Sequence, residues 1–461
     1  MSDFEPQAQS DPAASTSAQK ERGRRRSMLV AAFGTIVEWY DFSIFFYVAT
    51  ILTTEFFGDR TDSLLLTLGV GAAGFLFRPL GAMVFGHLGD RVGRKSALVV
   101  SAVLMAVAML GIAVMPTYEA IGIWAGVGMV FFRCLSGFSV GAEYTGIMVF
   151  LMESAGSKRR GLAASWAAAN SEVGALLAVG SGAYLAATLS DEAMSSWGWR
   201  VLFVLGALLA ALMIPLRRMM EETDTFKRLQ QAEKQQQREK RSPAKHARSP
   251  LLIAFIQQPR AILVAFLISS IGSVSYFLNS TYVPTYIEEV SQVKNSGSLA
   301  LGTIAAVVAI VITPLFGIAS DRFGRKKTLA VLMAVFILTT IPAYALLADG
   351  NSGVAIFGVA FLAVPAAGWS AVAAAMVPEQ FTGTSRFSGM AIGYNVATVL
   401  FGGLSPLIAT ALMSSTGLTL APAIYATVIV VVAGVPTLFL ARNMAGRPLA
   451  EVDRDKDLVP A

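Results

Sequence analysis

Six ionisable residues lie inside long apolar stretches in the first half of this 461-residue chain. They are the acids Glu38, Asp41, Glu143 and Glu172 and the arginines Arg78 and Arg133. If these stretches cross a membrane, each charge is costly and must face a partner or a water-filled cavity. A carboxylate beside an arginine can take up a proton when another anion satisfies the arginine. The second half has no ionisable residue at comparable depth.

This pattern predicts proton exchange linked to the binding of an anionic group. We expect Asp41 to be the main proton-carrying group, with Glu38 and Glu172 as accessory groups. Glu38 and Asp41 are three residues apart and therefore share one face of a helix. Arg133 is expected to bind the carboxylate of a substrate, because a guanidinium matches a carboxylate in shape and charge.

Two of the six charges are assigned to buried pairing. We expect Arg78 and Glu143 to neutralise charges within the bundle rather than to bind a ligand. Arg78 has a purely structural alternative, in which it pairs with Glu38 or Asp41 and fixes two helices together.

Aromatic and amide side chains are expected to shape the pocket around these charges. A tyrosine in a membrane helix more often packs than binds, so packing is the alternative for each of them. The candidates are Trp39, Tyr40, Tyr276, Asn279, Tyr282, Trp369, Tyr394 and Asn395.

The elements that carry these residues are predicted to be membrane helices. The chain is 55% hydrophobic and only 14% charged, values that are unusual for a soluble domain. Stretches of roughly 20 or more apolar residues each predict one spanning helix. Twelve are found, at about 28–52, 64–88, 96–115, 120–151, 162–188, 199–219, 259–286, 298–319, 328–347, 353–378, 386–413 and 420–441.

The distribution of positive charge predicts the orientation. Of the 36 Lys and Arg residues, all but Arg60, Arg200, Lys294, Arg78 and Arg133 fall in segments on one side of the membrane. This is the positive-inside rule, so we expect that side, with both termini, to be cytoplasmic. The net charge of +6 therefore reflects topology and does not indicate a nucleic-acid partner.

A ten-residue motif between helices 2 and 3 indicates an internal repeat. Gly-His-Leu-Gly-Asp-Arg-Val-Gly-Arg-Lys runs from Gly86 to Lys95, and Gly-Ile-Ala-Ser-Asp-Arg-Phe-Gly-Arg-Lys runs from Gly317 to Lys326. Each copy lies between two apolar stretches, and a repeat of this kind is typical of a two-bundle transporter.

The repeat predicts the domain organisation. We expect helical bundles at 28–219 and 259–442, joined by a charged cytoplasmic linker at 220–258. A disordered tail at 1–27 and a short polar tail at 443–461 complete the chain.

Signatures of enzymes and metal sites are missing from the sequence. There are one cysteine, Cys134, and two histidines, His87 and His246, and no phosphate-binding loop with the spacing G-x-x-x-x-G-K-S/T. We therefore expect a protein that is not an enzyme, without cofactor or metal, and with H⁺ as the coupling ion.

Several motifs resemble those of the major facilitator superfamily, and within it the metabolite:proton symporters. This resemblance implies two six-helix bundles around a central cavity, alternating access, proton symport and residence in the bacterial inner membrane, with a monomer as the working unit. It covers about residues 28–442. The matching segments are Glu38 to Phe42, Phe77 to Gly81, both ten-residue motifs, Gly137 to Tyr144, Trp197 to Arg200, Gly393 to Asn395 and Pro406 to Thr410.

The resemblance also implies gates at the two motifs. In the first copy, Asp90 would lie at the inner N-terminus of helix 11, where the helix dipole favours an anion, and Arg94 would pair with Glu153. In the second copy, Asp321 would face helix 5 and Arg325 would pair with Glu379. The motif arginines Arg91 and Arg322 belong to the same assignment.

The substrate is predicted only as a small carboxylate-bearing metabolite. We expect an organic acid, because Arg133 suits a carboxylate and because osmosensing relatives typically have a long C-terminal coiled coil that this chain lacks. The alternative is a zwitterionic osmolyte such as proline or a betaine, whose ammonium group aromatic residues could bind. Efflux of drug-like compounds and a role without transport are weaker alternatives.

Overall fold

The computed structural model describes residues 12–58, 63–92, 94–141, 143–219, 255–290, 295–349, 352–382 and 386–452. In these ranges the chain is helical and contains no strand. Twelve helices are long and apolar enough to cross a membrane, which confirms the predicted number. We number them spans 1 to 12. An even number of spans is what the predicted location of both termini on one side requires, and we call the side predicted to be cytoplasmic the inner side.

The first six spans lie between residues 12 and 218. They are span 1, Pro12–Tyr47; span 2, Ser63–Val92; span 3, Arg94–Val114; span 4, Ile123–Val140 with Glu143–Ser154; span 5, Arg160–Thr188; and span 6, Asp191–Ala193, Met194–Gly198 and Trp199–Arg218. Short helices Ala49–Phe57 and Tyr118–Ile121 lie at the opposite, outer side.

The last six spans lie between residues 259 and 440. They are span 7, Pro259–Tyr276 with Phe277–Thr281; span 8, Asn295–Phe323; span 9, Arg325–Ala348; span 10, Ser352–Met376; span 11, Arg386–Thr398 with Val399–Gly403 and Ser405–Thr416; and span 12, Ala421–Leu440. Shorter helices are Val283–Val290, Pro378–Gln380 and Leu449–Val452.

The helix bounds depart from the sequence prediction at two places. The segment predicted to be disordered up to residue 27 is helical from Pro12, because its Ala, Gln, Lys, Glu and Arg residues are good helix formers. Span 4 is divided into Ile123–Val140 and Glu143–Ser154, with a turn at Gly141, whose backbone dihedral angles stay helical. The predicted linker lies outside the described residues from 220 to 254.

Spans pack mainly within each half of the chain, and the largest contacts between the halves are at three places. In the first half, span 1 packs on span 5, span 2 on span 4, and span 3 on span 6. In the second half, span 7 packs on spans 11 and 12, and span 10 on spans 8 and 9. Span 5 meets spans 8 and 10 across the interface, and span 2 meets span 11. The halves are therefore joined at two seams.

Spans 2 and 4 approach so closely that only glycine fits between them. A Cβ atom on Gly137 would lie 1.9 Å from the carbonyl oxygen of Gly74, and one on Gly81 would lie 1.9 Å from that of Phe138. Small residues allow such backbone contact between membrane helices. The contact brings Arg78 of span 2 and Arg133 of span 4 close to the same part of span 1.

Substitution of Gly137 with alanine should therefore destabilise the bundle. The added methyl group must push spans 2 and 4 apart, and overpacking of this kind costs about 1–3 kcal/mol. We expect a lower melting temperature and a smaller monodisperse fraction after extraction in detergent. Gly180→Ala is the matched control, because nothing lies within 4 Å of its Cβ position. Equal stability of the two variants would contradict the close contact.

Candidate functional site

An ion pair between spans 1 and 4 lies at the centre of the first half. The Nη1 atom of Arg133 is 3.3 Å from Oδ1 and 3.2 Å from Oδ2 of Asp41. Ser136, one helical turn after Arg133, donates a hydrogen bond to the same carboxylate. The Arg133 guanidinium also lies 4.2 Å from the ring centroid of Phe45. Both partners are buried, so each charge depends on the other for its stability.

A second ion pair joins spans 1 and 2. Arg78 donates a 2.9 Å hydrogen bond from Nη2 to Oε1 of Glu38, and its guanidinium lies 4.9 Å from the ring of Phe75. In the described part of the chain, the other carboxylate oxygen of Glu38 has no hydrogen-bond partner. Arg78 therefore lies where the structural alternative places it, and Glu38 retains one acceptor that could bind a proton.

A third buried pair fixes span 4 to span 6 near the inner side. Arg217 donates to Oε1 of Glu143 and to the carbonyl of Leu98, while Ser101 donates a 2.7 Å hydrogen bond to Oε2 of Glu143. The sequence analysis did not single out Arg217, because it lies near the predicted end of its helix among other basic residues. Its depth becomes visible only from the packing of span 6.

A cavity of about 50 Å³ lies between the two halves. Among the predicted substrate-binding residues, Trp39, Tyr276 and Tyr394 line it. Tyr144 and Phe277 complete a group of five aromatic side chains. The ring centroids of Trp39 and Tyr276 are 4.9 Å apart, and those of Tyr144 and Tyr394 are 5.5 Å apart. Each of these two contacts joins one half of the chain to the other.

The polar groups of the cavity are neutral. Among the described residues, its lining contains no charged side chain and carries five serine and threonine side chains, Ser171, Ser269, Ser273, Ser370 and Thr398. Among the described residues, Trp39 Nε1 and Ser269 Oγ are buried without a hydrogen-bond partner. Glu172 lies beside the cavity, within hydrogen-bonding reach of the Tyr276 hydroxyl. The cavity thus offers aromatic faces and neutral hydrogen-bond donors.

The other predicted pocket residues lie outside the cavity lining. Tyr40 donates to the carbonyl of Leu202, Trp369 to that of Ile268, and Tyr282 bonds to Thr410, so their polar ends are used within their own halves. Asn279 is buried, and among the described residues both of its side-chain polar atoms lack a hydrogen-bond partner. Asn395 donates a hydrogen bond to the Gly141 carbonyl across the interface. Arg133 is also absent from the lining, since it faces Asp41.

On the inner side, the second motif copy joins the two halves. Asp321 accepts hydrogen bonds from the backbone amides of Gly161 and Leu162, at 2.8 and 2.9 Å. These amides open span 5, where the helix dipole favours an anion. Arg325 bonds to Asp321 at 2.8 Å and to Glu379 at 3.1 Å. Their geometry is the one that the resemblance implies, and the gating role stays a prediction.

Arg160 adds a link that the sequence analysis did not anticipate. It is the first residue of span 5 and lies 3.4 Å from Oε1 of Glu379. It also donates to the carbonyls of Met444 and Arg447, beyond span 12. Nothing in its local sequence distinguishes it from the adjacent Arg159. The remaining motif residue Arg322 is exposed and lies over the ring of Phe323.

The first motif copy is only partly described. Gly86 packs against Phe387 and Ser388 at the start of span 11. Glu153 accepts a 3.0 Å hydrogen bond from Arg386, a residue outside the predicted set. The predicted pair of Arg94 with Glu153 stays a prediction, because three side chains of this copy lie outside the described residues: Asp90, Arg91 and Arg94.

Aromatic contacts close the halves together about one helical turn beyond the cavity, towards the outer side. The ring centroid of Phe42 is 5.1 Å from that of Phe75 and 5.7 Å from that of Phe277. Val399 of span 11 belongs to the same buried cluster. The cavity is therefore bounded by polar contacts on the inner side and by apolar contacts on the outer side.

This architecture matches a known family over nearly its whole length. The family model described as sugar (and other) transporter matches residues 27–455. The chain belongs to this family, within the major facilitator superfamily. It is therefore a membrane transporter, and its twelve spans make it a multi-pass protein of the bacterial cytoplasmic membrane.

Two curated relatives and one solved structure illustrate the similarity. The ectoine/proline transporter ProP of Corynebacterium glutamicum is 32% identical over 420 residues, covering 89% of this chain and 82% of the relative. The citrate-proton symporter of Klebsiella pneumoniae is 30% identical, with 91% and 92% covered. The proton:xylose symporter XylE with bound 6-bromo-6-deoxy-D-glucose has a TM-score of 0.77 at 18% identity, covering 94% of this chain and 99% of that one. At this low sequence identity, the structural similarity to XylE supports the fold alone.

Neutralisation of Asp321 should open the inner side. Asn at this position loses the charge that holds the span 5 amides and Arg325, so Asp321→Asn should favour separation of spans 5 and 8. We would measure maleimide labelling of Ser165→Cys in a Cys134→Ser background, since Ser165 is buried beside Gly317. Labelling from the inner side should become severalfold faster. Asp349→Asn, at an exposed site, is the matched control, and unchanged labelling in Asp321→Asn would contradict the gate.

Proposed function

We propose that this chain is a proton-coupled symporter that imports a small zwitterionic osmolyte, such as proline, ectoine or a betaine. The observation that carries this proposal is the cavity between the halves, which is lined by five aromatic side chains and by neutral hydroxyl groups. The ectoine/proline transporter among the relatives has the same substrate class in its name. The sequence alone favoured an organic acid over an osmolyte, and this proposal reverses that preference.

The chemistry of the cavity suits a zwitterion better than a polyanion. Aromatic faces attract the ammonium end through their negative π surface. Trp39 Nε1 and Ser269 Oγ, which lack partners in the described chain, could donate to the carboxylate end. A di- or tricarboxylate would bring two or three negative charges into a lining without a guanidinium or ammonium group, and their desolvation would then be poorly offset.

Proton coupling follows from the Asp41–Arg133 pair. While Asp41 is ionised, its carboxylate satisfies Arg133. When Asp41 takes up a proton, Arg133 loses its partner and becomes available to a substrate carboxylate that enters the cavity nearby. Proton and substrate therefore favour each other's binding, which is the linkage that symport requires. Glu38 and Glu172 are accessory sites in this scheme.

Alternating access would use the contacts on the two sides of the cavity. With the charge distribution placing both termini in the cytoplasm, the ion pairs of Asp321, Arg325, Glu379 and Arg160 close the cytoplasmic side. The cluster of Phe42, Phe75 and Phe277 closes the outer side. Each set joins one half to the other, so rocking of the halves breaks one set at a time. Since one chain contains both halves and the whole cavity, a monomer suffices.

A small organic acid remains the second candidate. The citrate-proton symporter among the relatives favours it, as does the general match of an arginine such as Arg133 to a carboxylate. The two candidates differ in what should accumulate under a pH gradient.

Uptake into proteoliposomes with an imposed pH gradient separates the candidates. We expect accumulation of proline, ectoine or glycine betaine, and no accumulation of citrate or α-ketoglutarate. Tyr394→Ala should raise the KM for the zwitterion about 2- to 30-fold, since a cation–π contact contributes about 0.5–2 kcal/mol. Tyr184→Ala is the matched control, because Tyr184 is 69% exposed. Accumulation of a polycarboxylate and of no zwitterion would contradict the osmolyte proposal and favour an organic acid as the substrate.

Removal of the proton site should uncouple transport without preventing exchange. Asp41→Asn mimics the protonated aspartate, so the variant should bind substrate and perform counterflow while failing to accumulate it against a gradient. Both rates can be measured in one proteoliposome preparation. Asp191→Asn, an exposed change of the same type, should behave as wild type. Uphill accumulation by Asp41→Asn would show that the coupling proton binds elsewhere.

A further inference from the structure

A second cavity, also of about 50 Å³, opens on the inner side between the start of span 7 and the end of span 12. It is separate from the central cavity, and the two share no lining residue. Its floor is apolar, with Val264 and Leu440, and its walls carry Gln257, Arg260 and Arg442. No carboxylate is among the residues that line it.

Hydrogen bonds to neighbouring residues hold both arginines in place. Arg260 donates a 3.1 Å hydrogen bond from Nη2 to the carbonyl of Leu440. The backbone amide and carbonyl of Arg442 bond to the side chain of Gln380, at 2.9 and 3.1 Å. A guanidinium carries five N–H donors, so the one contact of Arg260 that is described leaves donors for a further ligand.

The surroundings of this cavity are those of a membrane surface. Phe255 and Ile256, just before span 7, are 53% and 56% exposed. Large apolar side chains beside a basic cavity at the end of a span suit the boundary between lipid headgroups and acyl chains. Two positive charges without a carboxylate in the lining suit an anion, and arginine forks match phosphate oxygens.

We propose that this cavity binds the phosphate of an anionic phospholipid headgroup on the inner leaflet. Arg260 and Arg442 bind the phosphate oxygens, while Phe255 and Ile256 contact the acyl chains. Basic pockets between membrane helices on the cytoplasmic side are known to take such headgroups. The ligand would also tie the end of span 12 to Gln380, the residue after Glu379. The lipid would therefore stabilise the segment that carries the inner ion pairs.

Native mass spectrometry of the full chain in detergent tests the site directly. The probe is short-chain phosphatidylglycerol, with short-chain phosphatidylcholine and inorganic phosphate as separate arms. We expect retention of phosphatidylglycerol by the wild type, and at least about a fivefold loss in the Arg260→Gln/Arg442→Gln variant. The Arg260→Lys/Arg442→Lys variant keeps both charges and should recover part of the binding.

The control variant is Arg218→Gln, which removes an exposed charge at the inner end of span 6 and should retain the lipid. Size-exclusion profiles and melting temperatures show that each variant is folded. Equal retention of phosphatidylglycerol by the double glutamine variant and Arg218→Gln would overturn the site. Displacement of the lipid by inorganic phosphate at similar concentration would overturn the lipid as its ligand.

Discussion

An ion pair in a membrane exists only while each charge is held by the other, and this constraint governs the first half of the protein. Asp41 and Arg133 can meet because spans 1 and 4 lie in contact with span 2 through glycine surfaces, such as that of Gly74 and Gly137. Truncation of either side chain leaves its partner buried and unsatisfied, which is strongly destabilising. In the proposed coupling scheme the same constraint makes the pair a switch, because a proton and a second anion together can replace the original contact.

In this scheme, both halves contact the central cavity, so a change at Asp41 can affect both of them. Trp39 is two residues before Asp41 and makes an edge-to-face contact with Tyr276 of the second half, which in turn lies near Glu172. A change at Asp41 can therefore be passed to the interface through span 1 alone. The inner ion pairs and the outer aromatic cluster oppose each other across the cavity.

The sequence predicted the number of spans and the charges that lie deep in them, because a bilayer imposes a fixed length and a high cost on charge. It predicted pocket residues less well. Trp39 lines the cavity and Tyr40 does not, since successive helical residues differ by about 100° in direction and only packing fixes the rotation. Arg217 and Arg160 were missed for a related reason, because basic residues at helix ends look alike until the neighbouring helices are in place.

The most direct test of the coupling scheme is infrared difference spectroscopy of the purified protein, recorded as the transported substrate is added at near-neutral pH. The account predicts that substrate binding produces the carbonyl band of a protonated carboxyl group in the wild type, and that this band is lost in Asp41→Asn. A band that persists unchanged in Asp41→Asn, or wild-type protein that binds substrate without any such band, would contradict the role of the Asp41–Arg133 pair as the link between proton and substrate.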